Sequence, residues 1–77
     1  MTTALDAVTA ALSSVAPDVD LSRLDDDLYE DLGLDSMDLL NLAAAIAERT
    51  GVEIAERDYG ELRTLRAVAE YVAARQH

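Results

Sequence analysis

The chain has 77 residues, about half of them hydrophobic, with 16 acidic side chains against six arginines, no lysine and a formal net charge of −10. A domain this small buries only roughly 60–65% of its unfolded surface, which leaves little room for a deep substrate pocket beside the core. The charge argues against nucleic acid and against anionic membrane surfaces, which need clustered cations, and the absence of cysteine excludes disulfides, thiolate metal sites and a cysteine nucleophile.

Basic patches on other proteins are the natural partners of such a surface, because opposite charge steers encounter. The start Met1-Thr2-Thr3-Ala4 has neither a basic region nor a long apolar run, and no stretch is long enough to span a bilayer. The expected location is the cytoplasm. No repeat, linker or low-complexity tract divides the chain, so residues 1–77 read as one domain.

From about Thr3 to Ala16, Leu5, Val8, Leu12 and Val15 recur at helical spacing. Thr3 is the expected cap, with Asp6 three residues on as an acidic capping-box partner, and Pro17 follows the helix stop. Asp18 to Leu34 reads as a long acidic connection threaded by Leu21, Leu24, Leu28, Leu32 and Leu34. So many leucines place it across the bundle, with a short helical turn near Leu24 to Tyr29.

Ser36 to Thr50 gives the clearest helical pattern. Leu39, Leu42, Ala43 and Ile46 share one arc, and Met37, Leu40 and Ala44 share its neighbour. Asp38, Asn41, Ala45, Glu48 and Arg49 lie opposite. The apolar arc is wider than a one-sided surface helix needs, so the helix is central or shows part of that arc to a partner. Gly51 is the expected C-cap. Ala55 to Leu62 reads as a brief, irregular helical turn. Thr64 caps a last helix that runs to about Arg75 on Leu65, Val68 and Val72, with Ala69 and Tyr71 as neighbours. Helical periodicity throughout, with no alternating strand pattern, predicts a small all-α bundle.

Ser36 is the residue with chemistry to explain. A serine near a helix start is ordinarily just a cap. Here Asp35 can take that role with Asp38 three residues on, which leaves Ser36 at the first helical position with its hydroxyl free. A phosphodiester there meets exposed N–H groups and the positive end of the helix dipole. A hydrolase nucleophile needs a base and an orienting third group, and the one histidine, His77, is the last residue and is expected to fray. No catalytic residue is therefore assigned.

No metal site is expected either. The run from Asp18 opens like a calcium loop, but Arg23 and Tyr29 stand where that loop needs glycine and glutamate. Asp25-Asp26-Asp27 reads as a solvated acidic stretch. Tyr29, Tyr59 and Tyr71 are too scattered for a base-stacking platform and read as core edges.

Asp31-Leu32-Gly33-Leu34-Asp35-Ser36-Met37-Asp38, with the helix order around it, Gly51-Val52-Glu53-Ile54 and Thr64-Leu65 before Tyr71, resembles the acyl carrier protein family over nearly the whole chain. The resemblance implies a four-helix bundle of three longer helices and one short one, and a non-enzymatic, monomeric carrier. A phosphopantetheinyl transferase would attach phosphopantetheine from coenzyme A to Ser36, and acyl groups would ride as thioesters on its thiol. It implies loading, condensing and modifying enzymes with basic docking patches as partners. Asp35, Asp38, Glu48, Glu53 and Glu56 would offer charge to them, and Met37, Leu40 and Ala44 would face partners or cargo.

The chain departs from fatty-acid-synthesis carriers at Asn41, Ala45 and Ala47, in the missing proline after Ile54, and in the lack of phenylalanine near Thr50. These departures suit a dedicated carrier for polyketide or other specialised biosynthesis. An aminoacyl or peptidyl carrier is the alternative of the same chemistry. An unmodified helical interaction module gripping a partner helix is the alternative of another class.

Overall fold

Three longer helices begin at the residues their caps mark. A computed structural model describes residues 3–76. It shows α1 (Ala4–Val15), α2 (Ser36–Thr50), a short 3₁₀ helix (Glu56–Glu61) and α3 (Leu65–Arg75), with no strand among the described residues. His77 and the first two residues of the chain lie outside that range. The Thr3 hydroxyl accepts from the Asp6 N–H at 3.1 Å, and the Thr64 hydroxyl accepts from the Ala67 N–H at 3.0 Å. Each satisfies a backbone donor that the first helical turn leaves without an intrahelical partner. Gly51 ends α2 with φ of 76°, a left-handed conformation that costs glycine little and L side chains more.

The core joins Val8, Ala11 and Leu12 of α1 to Leu39, Leu42 and Ile46 of α2 and to Leu65, Val68, Ala69 and Val72 of α3. Helix α1 packs on both α2 and α3. Its buried face is turned slightly from the expected stripe. Leu5 and Val15 are half-buried, while Ala7 and Ala11 are buried. Small side chains at those two positions let the helices approach closely.

The connection from Ala16 to Asp35 lies across the bundle as its leucines require. Leu28 is fully buried, Leu34 nearly so, and Leu21, Leu24 and Leu32 pack against the core edge. It holds turns but no continuous helix, and the short helical turn expected near Leu24 to Tyr29 falls slightly later, where the Asp27 carbonyl accepts from the Asp31 N–H at 2.9 Å. Local hydrogen bonds set its place and its length. The Asp27 carboxylate accepts from the Tyr29 and Glu30 N–H groups at 2.8 and 2.9 Å, capping a single turn in place of a helix. The Leu28 N–H donates instead to the Arg63 carbonyl at 2.7 Å, and the Arg66 N–H donates to the Leu24 carbonyl at 3.1 Å. The loop is thus tied by its backbone to the start of α3.

The acidic run is not simply solvated. Asp25 pairs with Arg66 and Asp27 with Arg63, both at 2.7 Å, and Asp26 pairs with Arg23. Arg63 also lies over the Tyr29 ring, 5.2 Å from its centre. The three tyrosines pack at the core edge.

Candidate functional site

Ser36 sits between two buried anchors. Before it, Gly33 turns the chain with φ of 76°, and Leu34 is buried with its N–H donating to the Leu28 carbonyl at 2.9 Å. After it, Leu39 is buried in the core. The chain must pass from loop to helix over these few residues.

A complete capping box makes that passage. Asp35 is the N-cap, and its Oδ1 accepts from the Asp38 N–H at 2.9 Å. In return, Asp38 Oδ2 accepts from the Asp35 N–H at 3.2 Å. The Leu39 N–H donates to the Asp35 carbonyl at 3.0 Å. Among the described residues, the N–H groups of Ser36 and Met37 have no partner, and the Ser36 hydroxyl makes no hydrogen bond. Ser36 is exposed at the first helical position, as the caps predicted.

The rest of the predicted face follows down α2. Leu39, Leu42, Ala43 and Ile46 are buried, while Met37 and Leu40 are 61% and 48% exposed. They are the exposed large apolar side chains of the described chain. Ala44 and Glu48 are exposed, Asp38 is half-buried, and Asp35 is exposed. Ala45, placed on the polar side by its spacing, instead packs half-buried against the core.

Leu40, Ala44 and Glu53 converge on one groove of about 460 Å³ between α2 and the segment that leads into the 3₁₀ helix. Ala43 and Ala47 complete the α2 wall, and Ile54, Ala55 and Tyr59 form the other. That second wall was not foreseen from sequence. Its one signal was the cluster of alanines in α2, which leaves space that longer side chains would fill. Burial, then the charges of Glu56 and Tyr29, push the Tyr59 hydroxyl above its ordinary value of 10.0, so it stays a proton donor at neutral pH. Glu48 and Glu56 are exposed outside the groove lining.

The charge of this face is uncompensated. Every ion pair of the described residues lies within the loop or between the loop and the Arg63–Arg66 stretch, and none reaches α2, Glu53 or Glu56.

Comparison with known proteins agrees with this geometry. Residues 6–72 match the family described as a phosphopantetheine attachment site. The chain is 37% identical over 59 residues to an acyl carrier protein of Campylobacter hominis, covering 77% of this chain and 72% of that one. It is 38% identical over 55 residues to one from Chlamydia trachomatis, 71% of each chain. It is 32% identical over 71 residues to one from Streptomyces coelicolor, 90% of this chain and 77% of that one. The chain belongs to the acyl carrier protein family, whose members are carriers rather than enzymes and whose cofactor is phosphopantetheine. No helix of the described residues is long and apolar enough to cross a membrane.

Proposed function

We propose that Ser36 is the phosphopantetheine attachment residue. The observation that carries this is an exposed serine whose hydroxyl is free because Asp35 and Asp38 cap its helix. In transfer, Ser36 Oγ attacks the pantetheine-side phosphorus of the coenzyme A pyrophosphate. A new O–P bond forms, the pyrophosphate P–O bond breaks, and the adenosine bisphosphate leaves with the electron pair. The serine proton goes to a base of the transferase, because no histidine or lysine lies among the described residues. The unpartnered N–H groups of Ser36 and Met37 favour the resulting phosphodiester.

The loaded arm would carry acyl groups as thioesters to enzymes of fatty-acid, polyketide or related specialised biosynthesis in the cytoplasm. Met37, Leu40 and Ala44 form the apolar centre of the docking face. Asp35, Asp38, Glu48, Glu53 and Glu56 supply charge for basic patches. The names of the relatives favour an acyl over an aminoacyl cargo. The replacement of longer side chains by Asn41, Ala45 and Ala47 favours a dedicated pathway.

Intact mass after incubation with a broad-specificity phosphopantetheinyl transferase and coenzyme A tests the assignment. One added phosphopantetheine is expected on the parent chain and none on Ser36→Ala. Ser36→Ala should change stability by less than about 1 kcal/mol, since Asp35 keeps the cap. A folded parent that takes no mass from several transferases would favour the unmodified interaction module.

A further inference from the structure

Five of the six arginines are accounted for within the fold. Arg23, Arg63 and Arg66 pair with Asp26, Asp27 and Asp25. Arg75 lies over the Tyr71 ring, 3.5 Å from its centre, and donates to the Tyr71 carbonyl at 3.3 Å. Arg49 stands in the last turn of α2, where a cation offsets the negative end of the helix dipole. The sixth, Arg57, is exposed, and its guanidinium has no ion pair, hydrogen bond or aromatic ring among the described residues. This is so although Glu53, Glu56 and Glu61 all lie within four positions of it.

The 3₁₀ helix sets where that charge points. Its three residues per turn stack positions i and i+3 in rows. Tyr59 lines the groove, so Glu56 shares the groove's side. Asp58 is turned to α3, where it accepts from the Tyr71 hydroxyl at 2.7 Å. The remaining row is Arg57 with Gly60, both exposed. Nothing lies within 4 Å of where a side chain at Gly60 would begin. The guanidinium therefore stands over open ground, between Ala55 and Tyr59 of the groove's second wall in chain order. An enzyme that covers Leu40 and Ala44 and reaches across the groove meets it there.

Resting on the docking face proposed above, we propose that Arg57 is a specificity residue of that face. It fits a partner enzyme that sets a carboxylate against the second wall of the groove within an otherwise basic patch, and it disfavours partners whose patch is basic throughout. At a net charge of −10, one arginine barely alters the long-range field that steers encounter. It acts at contact, within a screening length of about 10 Å at 0.1 M salt. Against a lysine or arginine it repels. Against a carboxylate its planar, permanently charged fork forms a bidentate pair. Specificity of this kind comes from the repulsion as much as from the pair.

The probe is a phosphopantetheinyl transferase whose carrier-binding patch holds arginine and lysine and no carboxylate. It acts on the full chain with coenzyme A, and initial rates of mass gain are read at low and high salt. Arg57→Glu should raise kcat/KM by roughly threefold to tenfold at low salt, through a lower KM, and high salt should erase the gain. Arg57→Gln should gain less. Gln76→Glu, which changes the net charge by the same one unit at the exposed end of α3, should gain least. Patch cations of the transferase are then reversed to glutamate one at a time. One of these reversals should be tolerated better by the parent than by Arg57→Glu.

Equal rates for the parent and Arg57→Glu at low salt would overturn this role. So would an equal gain in Gln76→Glu and Arg57→Gln, which would make the effect one of net charge alone. If no reversal in the transferase favours the parent, no group of the patch meets Arg57, and the role is overturned as well. A melting point that drops by more than about 5 °C in Arg57→Gln would give Arg57 a structural role in its place. Failure of the underlying reading looks different. The parent then takes no mass, Ser36→Ala takes it, or Glu48→Gln and Glu53→Gln leave KM unchanged and remove the docking face itself.

Discussion

Two acidic regions of this chain use the same side chains in opposite ways. In the loop before α2, Asp25, Asp26 and Asp27 are held by Arg66, Arg23 and Arg63, and of the flanking leucines Leu28 is buried and Leu24 packs against the core. On α2 and the segment after it, Asp35, Glu48, Glu53 and Glu56 have no arginine partner, and Met37 and Leu40 are exposed beside them. The first region pairs its charges with arginines at the surface and turns its apolar side chains inward. The second directs both outward. Half of the six arginines are committed to ion pairs of the loop, and no ion pair reaches α2, Glu53 or Glu56. Acidity here is therefore partly structural and partly, on the proposed docking face, free of any ion pair.

The sharpest way to break this contrast is to truncate one leucine in each region. Leu28 is 0% exposed although it belongs to a loop, whereas Leu40 is 48% exposed although it belongs to the central helix. Leu28→Ala should cost about 3–4 kcal/mol, because removing a fully buried leucine side chain leaves a cavity among rigid neighbours. Leu40→Ala should cost about 0.5 kcal/mol or less. Urea titrations of the two variants measure the difference. Similar losses would mean that the loop and the α2 face are not divided as described.

The ion-paired side of the contrast has a pH signature. The Glu30 N–H holds the Asp27 carboxyl below its ordinary value of 3.8, with further help from Arg63 and the Tyr29 N–H. Arg66 does the same for Asp25. A carboxyl whose pKa is lower in the folded state stabilises that state fully above its unfolded value, and the stabilisation is lost as pH falls through the folded value. Asp27→Asn should therefore melt below the parent at about pH 6, and the gap should close as the pH falls well below about 4. A gap that persists in acid would assign the role of Asp27 to shape rather than charge.

Much of this was legible in the sequence, and the rest fails for identifiable reasons. Caps and apolar spacing are local, so Thr3, Asp35, Gly51 and Thr64 mark helix ends that the structure keeps. The buried arc of α2 is read from its 3.6-residue period, and so is the exposed pair Met37 and Leu40. The loop is different, because its conformation depends on partners about 40 residues away. Nothing within Asp25-Asp26-Asp27 announces Arg63 and Arg66, so the run looks solvated. The groove has the same difficulty. One wall is written in the alanines of α2, while the other comes from Ile54, Ala55 and Tyr59, which only the tertiary fold brings opposite. Ser36 was accessible to sequence reading because its capping box is contained in four consecutive residues.

The smallest expected effect concerns the element between the two regions. The 3₁₀ helix buries none of its six residues, and no side chain caps its start. Its side-chain hydrogen bond to the bundle runs from the Tyr71 hydroxyl on α3 to Asp58 at 2.7 Å. Tyr71→Phe deletes that bond alone, because the ring remains against the Arg75 guanidinium, now 3.5 Å from the ring centre. Global stability should fall by about 1 kcal/mol or less, the usual net worth of one such bond. Hydrogen exchange should quicken chiefly across Glu56–Glu61, since an element with few buried contacts opens locally before the core does. Exchange that rises equally in α1 would instead make this bond part of the cooperative core. Unchanged exchange would mean that the chain connections from Val52 and into Leu62, both buried, suffice to hold the wall of the groove in place.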